Sequence, residues 1–416
     1  MVTLARAFGN GALALLLVPA AALAAALEPY VYVGSLDARS AVLAWGELGG
    51  PGNRIGREAV PEGAAEVRVG ERRLRSERSW IRLDGLAPDT EYPYQVWIGE
   101  RKLGEGSFRT WPEQSDRLTF FVIGDFGNGS RAQYQIADAM SREFSRRESS
   151  SSPVRFVITT GDNLYASRFL FWLRASGQED RDWAKKFFQP YRDVLRHIPF
   201  YPSVGNHDGS ESEPRRDLST YLDNFFFPQG QPARFYNFSF AGLADFFALD
   251  STPNVLEPGD PAIYRPNGEQ HLWLKKALSD SRAPWKIPYF HHDLFTAGPE
   301  HAPEMERLRH FFDTFREGGV RAVFNGHEHN FQMSEASDYT GYIRFFISGA
   351  GGQLRSGDVR GALKSAHIDA WSAQYHFLAV EIDGRSMRVT PIGFDPIAVQ
   401  TSEGPVLGLP IEVALP

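Results

Sequence analysis

Residues 118–127 read LTFFVIGDFG, an apolar run that ends in two glycines flanking Asp125 and Phe126. The run predicts a buried β-strand, and the glycines predict a sharp turn that carries the carboxylate. Four later stretches repeat this arrangement of an apolar run with a polar end: 156–165 (FVITTGDNLY), 201–208 (YPSVGNHD), 287–292 (IPYFHH) and 322–330 (AVFNGHEHN). Because the carboxyl ends of strands in an open α/β sheet face one crevice, we expect the five polar ends to lie together.

The segments between these strands include helical patterns, among them 132–147 and 270–278. Strands that alternate with helices are typical of an α/β domain, which we predict to span residues 118–395. Residues 396–416 contain several prolines and glycines and are predicted to form a C-terminal tail on the surface.

The residues before this domain follow a different pattern. Residues 27–110 consist of short strand-like runs separated at short intervals by glycine and proline, which predicts a small all-β sandwich. Within them, residues 86–96 (LAPDTEYPYQV) and 108–110 (FRT) resemble the closing strands of a fibronectin type III domain. The polar residues 111–117 are predicted to form a linker between the two units.

The N-terminus and the composition limit where the protein works and what it binds. Residues 1–26 carry one cation, an apolar stretch and a run of small residues, which predicts a signal peptide and export to a periplasm or the cell exterior. An uncleaved membrane anchor is the alternative, and no other stretch is long enough to span a membrane. The chain has no cysteine, a formal net charge of −7 and no long basic cluster, so neither disulfides nor a polymeric nucleic-acid partner are expected.

The five polar ends contain two Asp, one Asn and three His in positions that suit metal binding. Mixed oxygen and imidazole donors fit Zn, Mn or Fe. An Asp after a strand is more often a turn or cap residue when it occurs alone, so the ordered set carries the prediction. Two metal ions about 3.5–4 Å apart can hold the attacking and leaving oxygens of a phosphoryl displacement.

In this order and spacing, the five blocks resemble the calcineurin-like metallophosphoesterases. Tyr165, three residues after Asp162, is similar to the purple acid phosphatases, in which a phenolate binds Fe(III) and gives the colour. The resemblance implies a two-sheet αββα sandwich that holds Fe(III) and one divalent ion, Zn, Mn or Fe. It assigns Asp125, Tyr165 and His329 to Fe(III), Asn206, His291 and His327 to the divalent ion, and Asp162 to both as a bridge.

Further histidines are expected beside the metals. By the same resemblance His207 donates to the phosphate or the leaving group, and His301, ten residues after His291, is a second phosphate-facing histidine. His292 could exchange roles with its neighbour His291, although the family pattern favours His291. Asp208 is expected to orient His207.

The resemblance implies hydrolysis of small phosphate monoesters, with release of inorganic phosphate, by in-line attack of a metal-bound hydroxide. A secreted phosphodiesterase or nucleotidase with the same metals is the alternative. A third hypothesis is a catalytically silent binding protein that is held together by its metals. The blocks around residues 206 and 327 look like those of small animal-type purple acid phosphatases, whereas the front sandwich is typical of the large plant-type enzymes.

Overall fold

A computed structural model describes residues 28–48, 63–165, 168–170, 173–174, 183–208, 218–252, 264–404 and 408–416. The predicted signal peptide, residues 1–26, lies outside the described residues. In the part that is described, no helix is both long and apolar enough to cross a membrane.

The front unit is a two-sheet sandwich of antiparallel strands, as the sequence predicts. Its strands are β1 (Glu28–Leu36), β2 (Ser40–Leu48), β3 (Ala65–Val69), β4 (Arg72–Ser76), β5 (Trp80–Asp84), β6 (Glu91–Ile98) and β7 (Arg101–Arg109). One sheet has the order β1-β2-β5 and the other β4-β3-β6-β7. Side chains alternate between buried and less buried along β3, because one face of each sheet packs into the sandwich core.

The larger unit alternates strands with helices, in keeping with the α/β prediction. Its strands are β8 (Arg117–Ile123), β9 (Val154–Thr159), β10 (Arg168–Leu170), β11 (Leu173–Arg174), β12 (Phe200–Pro202), β13 (Tyr236–Phe240), β14 (Ala244–Ala248), β15 (Trp285–Tyr289), β16 (Ala322–Asn325), β17 (Phe331–Ser334), β18 (Arg344–Ser348), β19 (Ile368–Ser372), β20 (Phe377–Asp383), β21 (Ser386–Ile392), β22 (Gln400–Thr401) and β23 (Ile411–Ala414). Its helices are α1 (Arg131–Glu148), α2 (Arg192–Leu195), α3 (Ser219–Asn224), α4 (Glu269–Asp280) and α5 (Met305–Glu317), with a π-helical turn at Ala184–Phe188.

Two mixed sheets form the centre of this unit. The six-stranded sheet has the order β12-β9-β8-β20-β21-β23, and the eight-stranded sheet has the order β13-β14-β15-β16-β18-β17-β19-β22. Strands β8, β9 and β12 run parallel, as do β14, β15, β16 and β18. The carboxyl ends of these parallel strands carry the polar blocks found in the sequence.

The two sheets pack face to face through aromatic side chains. Phe120 of β8 lies edge-on to Phe246 of β14 at 5.1 Å and to Phe324 of β16 at 6.0 Å, measured between ring centroids. On the outer face of the eight-stranded sheet, a second buried cluster joins Leu274 of α4 and Phe311 of α5 to the sheet. Helix α1 contacts β9 on the other outer face, which completes the αββα order of layers.

The segments predicted as linker and tail are parts of the packed structure. Trp111 is buried and packs against Phe156 and Phe240, with centroid distances of 5.5 Å and 5.3 Å. In the segment 396–416, β22 pairs with β19 and β23 pairs with β21. The tail therefore extends both sheets instead of lying over the surface, because its isolated apolar residues, such as Ile411, complete the sheet edge.

Candidate metal centre

The seven predicted ligands lie together where the parallel strands end. Asp125 follows β8, and Asp162 and Tyr165 follow β9. Asn206 follows β12, His291 follows β15, and His327 and His329 follow β16, so each of five strands contributes at least one donor.

The turns that present these side chains are strained. Asp125, Asp162 and His327 have φ values of 55°, 48° and 65°, in the left-handed region that ordinary residues avoid. Such backbone costs about 1–3 kcal/mol per residue and is concentrated at functional sites. Gly161 has a φ of +90°, and a Cβ atom there would lie 2.6 Å from His291 Nδ1. At Gly326 an added Cβ would lie 2.5 Å from Asp125 Oδ2, so both glycines let ligands approach closely.

Three of the predicted ligands form what we call the first cluster: Asp125, Tyr165 and His329. The Tyr165 hydroxyl lies 3.1 Å from Asp125 Oδ1 and 3.0 Å from His329 Nε2, and His329 Nε2 lies 3.3 Å from Asp125 Oδ1. All three side chains are buried. A phenol, a carboxylate and an imidazole therefore meet at one point, as the sequence predicts.

Three other donors form the second cluster: Asn206, His291 and His327. His291 Nε2 lies 2.8 Å from Asn206 Oδ1 and 3.1 Å from His327 Nδ1. Asp162 connects the clusters, since its Oδ1 lies 3.5 Å from His291 Nε2. Asp125, Asp162 and His329 also offer ligand atoms that all lie within 4.8 Å of one another.

In the absence of a cation, burial shifts the pKa values of several predicted ligands. It raises the pKa of Asp125 to about 8, and it raises the pKa of the Tyr165 phenol well above its ordinary value, with Asp125 and Asp162 adding to the effect. It lowers the pKa of His329 to about 4, helped by the positive charge of Arg355. The pKa of His327 is lowered too, by burial and by the neighbouring histidines.

The donor chemistry fits bound cations. His291 Nδ1 lies 2.9 Å from the Thr160 carbonyl oxygen, so the ring proton belongs on Nδ1 and a lone pair remains on Nε2. That lone pair faces the oxygens of Asn206 and Asp162, which are also acceptors. Buried acceptors that face one another are unfavourable unless a cation lies between them. A bound cation would also reverse the pKa shifts of the Asp125 carboxylate and the Tyr165 phenol.

His207 and His301 lie beside the clusters and are partly exposed. The His207 ring lies 4.5 Å from the Tyr165 ring, and its Nε2 is 4.0 Å from Asp162 Oδ2. The His301 ring stacks on His327 at 3.8 Å between centroids. Their side chains are 28% and 27% exposed, so both can meet a molecule that enters from solvent.

The neighbouring residues resolve two questions from the sequence. His291 Nε2 contacts Asn206 and His327, whereas His292 Nδ1 lies 2.8 Å from the Ser251 hydroxyl, so the second cluster is built on His291. Asp208 was expected to orient His207. It instead accepts hydrogen bonds from the backbone of Gly205 and Leu164 and from the Asn163 side chain, and so joins two ligand-bearing loops.

Sequence reasoning missed the residues that support the His301 loop. Glu328, Asn330 and Gln332 alternate with the ligand histidines and are fully buried. Glu328 accepts a hydrogen bond from the His301 backbone at 2.8 Å, while Asn330 and Gln332 both donate to the Gly298 carbonyl oxygen. The signal was present in the spacing, because polar residues at every second position after a buried strand have to face a polar partner.

Comparisons with known proteins agree with this geometry. Residues 118–331 match the calcineurin-like phosphoesterase family model. The chain is 27% identical to purple acid phosphatase 3 of Arabidopsis thaliana over 67% of its length and 75% of that protein. It is 26% identical to human tartrate-resistant acid phosphatase type 5 over 66% of its length and 87% of that protein.

Solved structures extend the likeness of fold to the front sandwich. PhoD matches with a TM-score of 0.64 and 15% identity, covering 90% of both chains. The purple acid phosphatase PPD1 of yellow lupin matches with a TM-score of 0.64 and 14% identity, covering 93% of this chain and 74% of that one. These two structures share the fold; the family match over residues 118–331 and the sequence likeness to the two phosphatases show that the chain belongs to the calcineurin-like phosphoesterase family, as a purple acid phosphatase-like member.

Proposed function

We propose that the protein is an exported acid phosphatase that hydrolyses small phosphate monoesters with Fe(III) and one divalent ion, Zn, Mn or Fe. The position of the Tyr165 hydroxyl carries the proposal, since it lies within 3.1 Å of Asp125 Oδ1 and His329 Nε2. A phenol among buried acidic and imidazole donors suits a hard trivalent ion. The names of the two relatives, purple acid phosphatase and tartrate-resistant acid phosphatase, point to the same activity.

In this proposal the first cluster holds Fe(III), the second cluster holds the divalent ion, and Asp162 bridges them. Bound there, two such ions would lower the pKa of a water molecule and neutralise the charge of the phosphate. The protein would fix the spacing, because Asp125, Asp162 and His327 are held in left-handed turns at the ends of strands.

His207 is proposed to bind a phosphate oxygen and to give its proton to the departing alcohol. Its backbone N–H donates to Asp162 Oδ1 at 2.8 Å, which fixes the residue next to the proposed bridge. The ring covers Tyr165 while part of it stays accessible. An imidazole in this place can both orient the phosphate and act as a general acid.

His301 is proposed to bind a second phosphate oxygen. Its ring lies flat on His327, and its backbone is tied to the buried Glu328 carboxylate. These contacts hold the imidazole at the edge of the second cluster without placing it among the ligands. His207 would then face the phosphate from beside the first cluster, and His301 from beside the second.

The proposed function is tested by initial rates of the mature protein, loaded with iron and a divalent metal, on matched aryl phosphate monoesters and diesters across pH. We expect faster monoester turnover with an acidic optimum. Faster diester turnover would contradict the proposal and support the phosphodiesterase alternative. Export is tested separately by whether residues 1–26 are absent from the protein isolated outside the cytoplasm.

A further inference from the structure

We propose that the π-helical turn Ala184–Phe188 positions the first cluster and that the front sandwich supports this turn. The turn is wide, with a hydrogen bond of 2.8 Å from the Gln189 N–H to the Ala184 carbonyl oxygen. Single π-helical turns often occur next to functional sites. This inference rests on the proposed iron site and assigns a role to the front domain, whose described residues include none of the seven predicted ligands.

The first link is a buried lysine. Lys186 is 5% exposed, and its ammonium group donates to the Tyr165 carbonyl oxygen at 2.6 Å. The Tyr165 N–H donates to the Gly127 carbonyl oxygen at 2.8 Å, so both backbone groups of the tyrosine are held. A charge-assisted hydrogen bond in a buried place is strong and sets the position of its acceptor closely.

The turn is also fastened to the loop that follows Asp125. The Gln133 side chain of α1 donates to the Lys186 carbonyl oxygen, and its Oε1 accepts from the Gly129 N–H at 2.7 Å. The ring of Phe187 lies 6.3 Å from that of Phe126, the residue next to Asp125. The same turn therefore contacts the segments that carry two of the three donors of the first cluster.

The last link reaches the sandwich. The Phe188 ring lies 4.7 Å from the Tyr30 ring and 5.2 Å from the Tyr32 ring, and both tyrosines belong to β1. All three rings are buried. Close-packed interiors transmit displacement, so β1 limits how far the turn can move away from the cluster. The turn thus makes three connections. Lys186 contacts Tyr165, Phe187 contacts the loop that carries Asp125, and Phe188 contacts the front domain.

The test compares Lys186→Met with Lys185→Met in the full-length, metal-loaded protein. Lys185 is its neighbour in the same turn but is exposed, which makes it a matched control. The readouts are the visible absorption of the tyrosinate–Fe(III) pair per bound iron and the rate of iron loss to a chelator. For Lys186→Met we expect a shifted or weaker band and iron loss faster by about 10-fold or more, the size typical of residues that orient ligands. The divalent ion should be retained as in the wild type.

Phe188→Leu tests the contact with the sandwich and replaces the first variant if Lys186→Met does not fold. It should change the band and the iron loss in the same direction but by less. Phe312→Leu, a buried substitution in α5 away from the turn, should leave both readouts unchanged. A folded Lys186→Met protein that matches Lys185→Met, or a Phe188→Leu protein that matches Phe312→Leu, would overturn the inference. A wild-type protein without the band would instead overturn the proposed iron site on which the inference rests.

Discussion

The two halves of the metal centre differ in what holds them. The second cluster is supported by other loops that carry predicted ligands: His291 Nδ1 contacts the Thr160 carbonyl oxygen, and the Gly326 N–H donates to the His291 carbonyl oxygen. The first cluster depends in addition on segments that carry none of the seven predicted ligands. Lys186 holds the Tyr165 backbone, and the Gly352 N–H donates to the Asp125 carbonyl oxygen at 3.1 Å.

The second cluster is therefore held by the ligand loops themselves, whereas the first cluster also needs supporting segments. The second cluster is complete once the parallel strands of the two sheets are packed together. The first cluster needs in addition the π-helical turn and the segment after β18. We therefore expect substitutions far from the metals to disturb the first cluster more readily than the second.

The largest effect is expected at Asp162, where the two halves meet. Asp162→Asn removes the carboxylate charge shared by both clusters. Both metals should be lost on dialysis, and activity should fall to background, well beyond the 10- to 100-fold cost typical of a residue outside the ligand set. Metal analysis together with rate measurements checks this. Full retention of either ion would show that Asp162 serves one cluster only.

His207→Ala should remove a group that acts on the substrate and leave both halves intact. Because a general acid contributes roughly 10²–10⁴-fold, we expect kcat to fall by about 10²-fold or more while both ions stay bound. His197→Ala is the matched control, since His197 lies beside Ser107 of the sandwich. Loss of metal in His207→Ala would instead assign His207 to holding the centre together.

Tyr165→Phe and Asn206→Ala should separate the two clusters. The first variant should lose the iron–phenolate colour and keep the divalent ion, whereas the second should keep the colour and lose the divalent ion. Each should lower activity by about 10- to 100-fold or more, since a ligand should cost at least as much as a supporting residue. Visible spectra and metal content of the two proteins, measured side by side, decide the point. If either substitution releases both ions, the clusters are not independent.

The smallest effect is expected in stability against acid. His376 is fully buried. Its backbone N–H donates to the carbonyl oxygen of Ala350, in the segment after β18 that also supports Asp125. Burial lowers its pKa from 6.5 to about 4. Between these pH values His376 is protonated in the unfolded chain but neutral in the folded protein. The free energy of unfolding should therefore decrease as pH falls from about 6.5 to 4, and it should not depend on His376 at higher pH.

His376→Asn keeps a donor for the Gln374 carbonyl oxygen that Nδ1 now contacts. It should make the free energy of unfolding less dependent on pH by about 3 kcal/mol at most over that window. Denaturant unfolding of the metal-loaded protein at several pH values measures the slope, with His197→Asn as the control. An unchanged slope would mean that the buried imidazole does not set the acid limit.

The sequence predicted well which polar side chains lie together, because their signal is local. An apolar run followed by glycine and a polar residue predicts both a buried strand and the donor at its end. The metal centre itself is then a consequence of parallel strands meeting at one edge. The front sandwich was predicted for a similar reason, since its strands and turns alternate at short intervals.

What the sequence did not predict depends on contacts between distant residues. Nothing near Lys186 indicates that its side chain reaches Tyr165, and the role of Asp208 follows only from the packing of two loops. The pairing of β23 with β21 also had no local signal, since β22, which belongs to the other sheet, lies between them in the sequence. Such contacts are fixed by the whole fold, because their partners lie more than 20 residues apart in the sequence.

The most direct test of the account is anomalous diffraction from crystals of the metal-loaded protein, recorded at the iron absorption edge and at that of the divalent metal. We predict two ions in each chain, with iron among Asp125, Tyr165 and His329, the other ion among Asn206, His291 and His327, and Asp162 in contact with both. A single ion, or iron at the second cluster with Tyr165 unbound, would contradict it.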